Sequence, residues 1–162
     1  MSKYVVYVSK SGNTKAIAEK IAEVAGCELI PLNLIEKQSK GSAGEKAQEE
    51  ARYMSAIKKC KDAELVFVGT PVVMKQPHSK IAKFVNTVDA KRMAFFITYE
   101  NNMGFTLKEL RDSAEIRAIR VLGSIEYGGL KSGAIAQMTE GDKADILKKA
   151  EKLTSDCLNA LK

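Results

Sequence analysis

Tryptophan is absent from the 162 residues, histidine occurs once, and cysteine and proline occur three times each. Each shortage removes a class of chemistry. The lone histidine, His78, has no plausible Ser and Asp partners, so no hydrolase triad can be assembled. Cys27, Cys60 and Cys157 lie far apart with no C-x-x-C pair. Even with His78 added they do not have the ligand spacing of a structural zinc site. An odd, sparse set builds no disulfide framework and fits a reducing compartment, and the three read as small hydrophobes. No run approaches the roughly 20 apolar residues that cross a bilayer. Met1–Val8 is too short for a signal peptide before polar Ser9-Lys10-Ser11. The expectation is a soluble, cytoplasmic protein without membrane association.

What is present is an ordinary globular balance, 45% hydrophobic and 28% charged, which argues against wholesale disorder. The length predicts a single domain over residues 1–162. The net charge is +6, spread evenly: residues 1–60 carry 10 basic and 7 acidic side chains, the remainder 16 and 13. That is a solvated basic surface rather than the clustered footprint of a specific nucleic-acid binder. It would favour an acidic partner or, non-specifically, nucleic acid.

Along the chain, Lys3–Val8 is a β-branched and aromatic run that reads as a buried strand. From Thr14 apolar residues recur helically through Ile17, Ala18, Ile21, Ala22, Val24 and Ala25, and Gly26 stands where a helix terminates. Glu28–Asn33 is a second strand. Gln38–Gly44 looks flexible, and Ala47, Ala51, Met54 and Ile57 mark the next helix. Glu64–Gly69 is a third strand, ended by Gly69-Thr70-Pro71. Pro77 is suited to open a helix carrying Ile81, Phe84, Val85 and Val88, with His78 as an exposed residue at its start. Met93–Tyr99 is a fourth strand. Thr106 with Glu109 forms a capping-box pattern opening another helix. Arg117–Gly123 is a fifth strand, Ser124–Met138 is glycine-rich and unassigned, and a last helical stripe runs from Ile146 to Leu161.

Solidly apolar strands alternating with amphipathic helices imply a parallel sheet covered on both faces. The fold class is therefore α/β, a doubly wound three-layer sandwich. Ligands of such sheets bind at the carboxyl ends of the strands. That rule points to Ser9-Lys10-Ser11-Gly12-Asn13-Thr14, between the first strand and the first helix. The N–H groups of a helix N-terminus and the hydroxyls of Ser9, Ser11 and Thr14 suit a phosphate, and Gly12 lets backbone approach it. Lys10 can add a point charge or simply be solvated. The plainer alternative is helix capping by Ser11 or Asn13. Several other phosphate readers are excluded. Gly12 has no glycine five residues before it, as a Walker loop needs, and there is one glycine where a dinucleotide fingerprint needs three. No cysteine precedes Cys27 to serve a phosphatase, and Ser9–Lys15 has no carboxylate for a phosphoacceptor domain.

The strand, the pattern Ser9-x-Ser11-Gly12-Asn13-Thr14 and the amphipathic helix after it resemble the flavodoxin phosphate loop, [TS]-x-[TS]-G-x-[TS], at every defined position. Gly69-Thr70-Pro71-Val72-Val73 resembles the flavin-bordering loop after the third strand of that family, and Tyr99–Gly104 falls where its second flavin-flanking loop lies. The resemblance follows the element order along the whole chain. It implies a five-stranded parallel sheet in the order 2-1-3-4-5, bound flavin mononucleotide (FMN), and electron transfer with redox partner proteins.

It also implies roles. Tyr99 would stack on the isoalloxazine, or cap the core. Thr70 would hydrogen-bond the ribityl chain or ring, or merely end a strand. Met74 would line the dimethylbenzene edge or fill a gap. Asn101 and Asn102 would meet the pyrimidine side or form a turn. Glu100 would oppose the anionic reduced ring and lower its potential, or be solvated. Pro71, Val72, Val73 and Gly104 complete the two loops. The chain departs from the family in having aliphatic Val72 and Val73 where an aromatic often stacks, Lys75 where glycine is common, Glu100 where a small residue is common, and a basic net charge. An electron carrier is the leading reading. Its alternatives are an NAD(P)H-dependent flavin or quinone reductase, with residues 124–138 as a lid, and a flavin-free binding module of the same fold.

Overall fold

The computed structural model describes residues 2–33 and 42–162. Strand β1 (Lys3–Tyr7) leads into helix α1 (Asn13–Ala25), β2 (Glu28–Pro31), α2 (Ala43–Lys59) and β3 (Leu65–Val73). A two-residue β4 (Gln76–Pro77) follows, then α3 (Ser79–Val85), β5 (Arg92–Thr98), α4 (Thr106–Ile116), β6 (Arg120–Tyr127), a single 3-10 turn (Ile135–Gln137) and α5 (Glu140–Asn159). The principal strands are parallel in the order β2-β1-β3-β5-β6, which is the expected 2-1-3-4-5 once β4 is set aside.

The sheet separates two apolar layers because successive strand residues face opposite sides. Val6, Val66, Val68 and Phe95 pack with Tyr53 of α2, Phe84 of α3 and Leu110 of α4. Val5, Phe67 and Phe96 pack on the other side with Ile17 and Ile21 of α1 and Leu153 and Cys157 of α5. Burial pushes the Cys60 thiol up to about 12 and that of Cys157 up to about 11, so both stay protonated and inert at neutral pH. Among the described residues no helix is long and apolar enough to cross a membrane.

The structure moves several boundaries. Helix α2 buries Tyr53 and Ala56, and Ile57 of the expected stripe packs half-buried against the same layer, whereas Ala47, Ala51 and Met54 face solvent, so most of the inward face is one position away from the expected stripe. The expected flexible stretch at Gln38–Gly44 lies outside the described residues as far as Gly41; Ser42 is the N-cap of α2 and forms a reciprocal capping box with Glu45. Strand β3 does not stop at Gly69 but runs on to Val73. It turns at Met74-Lys75 into the antiparallel β4, in which Val72 pairs with Pro77 and Val73 with Gln76. Pro77 therefore closes a hairpin instead of opening α3. The capping box at Thr106 does not form: Phe105 holds the cap position, and the buried Thr106 hydroxyl has no partner. Strand β6 starts at Arg120, since α4 continues to Ile116, and absorbs Ser124–Tyr127 from the unassigned region.

Candidate functional site

The chain leaves β1 toward β2 on one side and leaves β3 toward β5 on the other, so the loops after β1 and β3 diverge and open a crevice at the carboxyl edge. Four segments border it: Ser9–Gly12, the β3–β4 hairpin, Tyr99–Phe105 after β5, and Gly128–Ile135 after β6.

The first segment is held by side chains distant in sequence. The Ser9 N–H donates to Asn33 Oδ1 at 3.1 Å, and Asn33 Nδ2 donates back to the Ser9 carbonyl at 2.6 Å. Ser9 Oγ accepts from the N–H groups of Gly12 at 3.1 Å and Lys15 at 3.3 Å. Gly12 occupies the N-cap of α1 in the left-handed region, φ 94°, and has no side chain to cap the helix, so Ser9 Oγ takes the Lys15 amide from outside the helix. Simple capping by Ser11 or Asn13 is thus not what these residues do. Among the described residues, the backbone N–H groups of Lys10, Ser11, Asn13 and Thr14 carry no hydrogen bond. The first turn of α1 also lacks a carboxylate, whereas those of α2, α4 and α5 contain Glu45, Glu109, and Glu140 with Asp142. Among the described residues, the positive end of the α1 dipole therefore has no counter-charge from its own first turn. Thr14 Oγ1 lies 2.9 Å from Thr98 Oγ1 at the end of β5, a buried pair that spends one of its two hydroxyl protons internally.

The hairpin reads differently from expectation at Thr70. Its buried hydroxyl donates to the Pro71 carbonyl at 2.8 Å and accepts from the His78 N–H at 3.0 Å. Its only proton is committed to the hairpin. Val72 and Val73 are half-buried, and Met74 at the tip is 91% exposed. Met74 and Lys75 both have positive φ, 52° and 66°, the geometry of a type I′ turn usually given to Asn-Gly. The turn is clasped from the next segment. The Phe105 N–H donates to the Lys75 carbonyl at 2.9 Å, and Gly104, at φ 59°, lies directly against Lys75. Asn102 Oδ1 accepts from the Gly104 N–H at 2.7 Å, while Asn101 is exposed.

Tyr99 is half-buried, its ring set against Gly128, where a Cβ would come within 2.7 Å of the Tyr99 hydroxyl. The Tyr99 N–H donates to the Tyr127 carbonyl, and its own carbonyl accepts from Leu130, both at 3.0 Å. Glu100 is exposed, and its carbonyl accepts from the Gly129 N–H at 3.0 Å. Gly128–Ile135 is therefore a pinned wall, not a free lid.

His78 is half-buried rather than exposed. Its Nδ1 accepts from the Lys80 N–H at 3.1 Å, which places the proton of the neutral ring on Nε2. Burial, and secondly the Lys10 ammonium, hold its pKa below the ordinary histidine value. The folded state then binds fewer protons than the unfolded one, so stability is full above the unfolded value, about 6.5, and falls as pH drops through it. We expect His78→Asn, which keeps an acceptor for Lys80, to flatten the stability profile between about pH 7 and pH 5.5. Urea melts across that window check this; an unchanged slope would assign the acid sensitivity elsewhere.

Sequence reasoning brought the Ser9–Thr14, Thr70–Met74 and Tyr99–Gly104 segments to one edge, as found. It missed Asn33 and Thr98, and it took residues 124–138 as a lid where 128–135 form a fixed wall. The glycines at 128, 129 and 133 were a signal for close backbone approach; Asn33 and Thr98 gave none, because their partners are 24 and 84 residues away.

No protein-family model and no curated protein sequence matches the chain. Solved structures do. A flavodoxin from the domain Archaea is 19% identical over 99% of both chains, with a TM-score of 0.61. A flavoprotein in complex with FMN from Lactobacillus acidophilus NCFM is 20% identical over 77% of this chain and 92% of its own, with a TM-score of 0.53. An NADH:FMN oxidoreductase in its apo form is 14% identical over 95% of this chain and 88% of its own, with a TM-score of 0.65. With the sheet order and the flanking helices, these define a flavodoxin-like fold.

Proposed function

We propose that this protein binds FMN at the carboxyl edge of its sheet and carries electrons between redox proteins. One observation carries the reading: among the described residues, four N–H groups without a hydrogen-bond partner surround the N-terminus of α1, whose first turn holds no carboxylate, a donor set suited to a phosphate monoester. The residues fit the phosphate end of that cofactor, and Ser11, which makes no hydrogen bond among the described residues, adds a hydroxyl. When bound, the flavin supplies the electron-accepting ring. The protein's part is to bind and orient it. Tyr99 and the Val72–Met74 strand end would flank the ring, Asn101 and Asn102 lie beside its expected polar edge, and exposed Glu100 would disfavour negative charge there. Thr70 shapes the hairpin rather than contacting the ligand.

Titration of the apoprotein with FMN and riboflavin tests this. Hydrogen bonds to a charged group contribute about 1.5–3 kcal/mol each, so FMN is expected to bind at least roughly a hundredfold more tightly. Equal affinities would remove the phosphate from the α1 loop, and binding of neither would promote the flavin-free reading. The similarity to an NADH:FMN oxidoreductase favours one second reading, direct use of NAD(P)H. Steady oxidation of NADPH by the purified holoprotein alone would select it over the carrier. An acidic redox partner is proposed from the net charge of +6; electron transfer that is insensitive to salt would count against it.

A further inference from the structure

We propose that the turn at Lys131–Ala134 is a second wall of the phosphate site, that Lys131 supplies a cation there, and that Asn13 is the positioning residue holding the turn in place. The proposal rests on the reading of the α1 loop as a phosphate site and adds to it a segment that no motif marks.

Asn13 is the first residue of α1 and is 5% exposed. An asparagine at a helix start ordinarily serves its own helix or turn. Here both ends of the amide are spent on a segment more than a hundred residues away. Nδ2 donates to the Lys131 carbonyl at 2.9 Å, and Oδ1 accepts from the Ile135 N–H at 3.1 Å. Between those two points the chain makes a tight turn, with the Ala134 N–H donating to the Lys131 carbonyl at 3.0 Å and Gly133 at φ 72°. The turn lies against the loop itself: a Cβ on Gly133 would sit 3.8 Å from the Ser11 carbonyl.

Leu130 and Ile135 are buried in the layer shared with α1 and α5. They anchor both ends of the turn and leave Lys131 and Ser132 exposed between them. An ammonium on a four-carbon stem is thereby tethered at the loop that presents the unpaired N–H groups. Among the described residues neither Lys131 nor Lys10 has a carboxylate partner, whereas Lys20, Lys59, Lys91, Lys108 and Lys152 do. Two cations with no carboxylate partner among the described residues thus belong to segments that meet at the α1 N-terminus, the loop after β1 and the turn after β6. The ligand chemistry they fit is a phosphate dianion.

The test uses the full chain and three probes: FMN, riboflavin and inorganic phosphate. Lys131→Gln keeps the backbone carbonyl that Asn13 holds, so it removes charge alone. It is expected to weaken FMN about fivefold to tenfold, leave riboflavin unchanged, and reduce the salt dependence of FMN and phosphate binding. Asn13→Ala is expected to weaken FMN tenfold or more relative to riboflavin and to expose the Ile135 amide to hydrogen exchange. FMN affinity and salt dependence unchanged in Lys131→Gln would overturn the cation. An Asn13→Ala protein whose Ile135 amide exchanges freely but whose FMN-to-riboflavin ratio is that of the parent would overturn the positioning role; should that variant fail to fold, Lys131→Gln decides alone. A parent protein that prefers neither FMN nor phosphate would instead overturn the phosphate reading, and with it this proposal.

Discussion

Gly69→Ala is expected to destabilise the protein by about 3 kcal/mol, a large share of the roughly 5–15 kcal/mol that holds a domain together. Gly69 lies in the middle of β3, paired with Tyr7 on one side and Phe96 on the other. The Phe96 ring lies across it: a Cβ at Gly69 would fall 2.0 Å from Cε2 and 2.1 Å from Cζ. The ring cannot swing aside into solvent, because Phe96 is fully buried in the layer between the sheet, α1 and α5. Either the ring leaves its rotamer or β3 and β5 separate, and both options disturb close packing. Urea unfolding measures the loss, with an unchanged slope confirming that the unfolded state is not the cause. Adding Phe96→Leu should restore part of it, since the two sites are in contact and their effects will not sum. A loss below about 1 kcal/mol would mean that the layer has room the packing does not show.

Gly104→Ala is expected to cost about 2–4 kcal/mol and to act on the site as well as on the fold. Two penalties combine. The backbone stands at φ 59°, where a side chain adds roughly 1–2 kcal/mol. The new Cβ would also meet the Cβ, carbonyl oxygen and Cα of Lys75 at 2.4–2.7 Å, and two of those are backbone atoms that do not yield cheaply. The clasp between the Phe105 N–H and the Lys75 carbonyl would open. That clasp holds Met74 and Lys75 in a left-handed turn neither residue favours. Freed, the hairpin is expected to relax, and the Phe105 amide to exchange readily. If the ring of a bound flavin is bordered by this hairpin, FMN and riboflavin should weaken together, about tenfold, with their ratio unchanged. A protein that loses stability but keeps both affinities would place the ring elsewhere.

The legible and illegible parts of this molecule differ in a consistent way. β1, β3 and β5 could be read because strands buried on both faces must be apolar throughout, so composition alone marks Val5–Val8, Leu65–Val68 and Met93–Ile97. Helix α1 could be read because its buried positions recur at the helical period and Gly26 ends it. The inward face of α2 could not: hydrophobicity favoured Met54, but packing chose Tyr53, whose hydroxyl donates to the Lys83 carbonyl at 3.3 Å. Ser42 with Glu45 and Thr106 with Glu109 present the same local capping pattern. One forms the box and the other does not, because the chain before Thr106 is already committed to Lys75 through Phe105.

By itself the sequence determined the order of strands and helices, hence a parallel sheet whose loops gather at one edge, with a hydroxyl-rich loop at the start of α1. Those features follow from short-range periodicity and composition. Only the tertiary structure decided which polar groups remain free there. Thr70 is spent on His78, and both ends of the Asn13 amide on Lys131 and Ile135. Among the described residues, the four N–H groups around the α1 N-terminus are left without partners. Hydrogen-bond partners are chosen by proximity in space, and these partners are separated along the chain by as many as 122 residues.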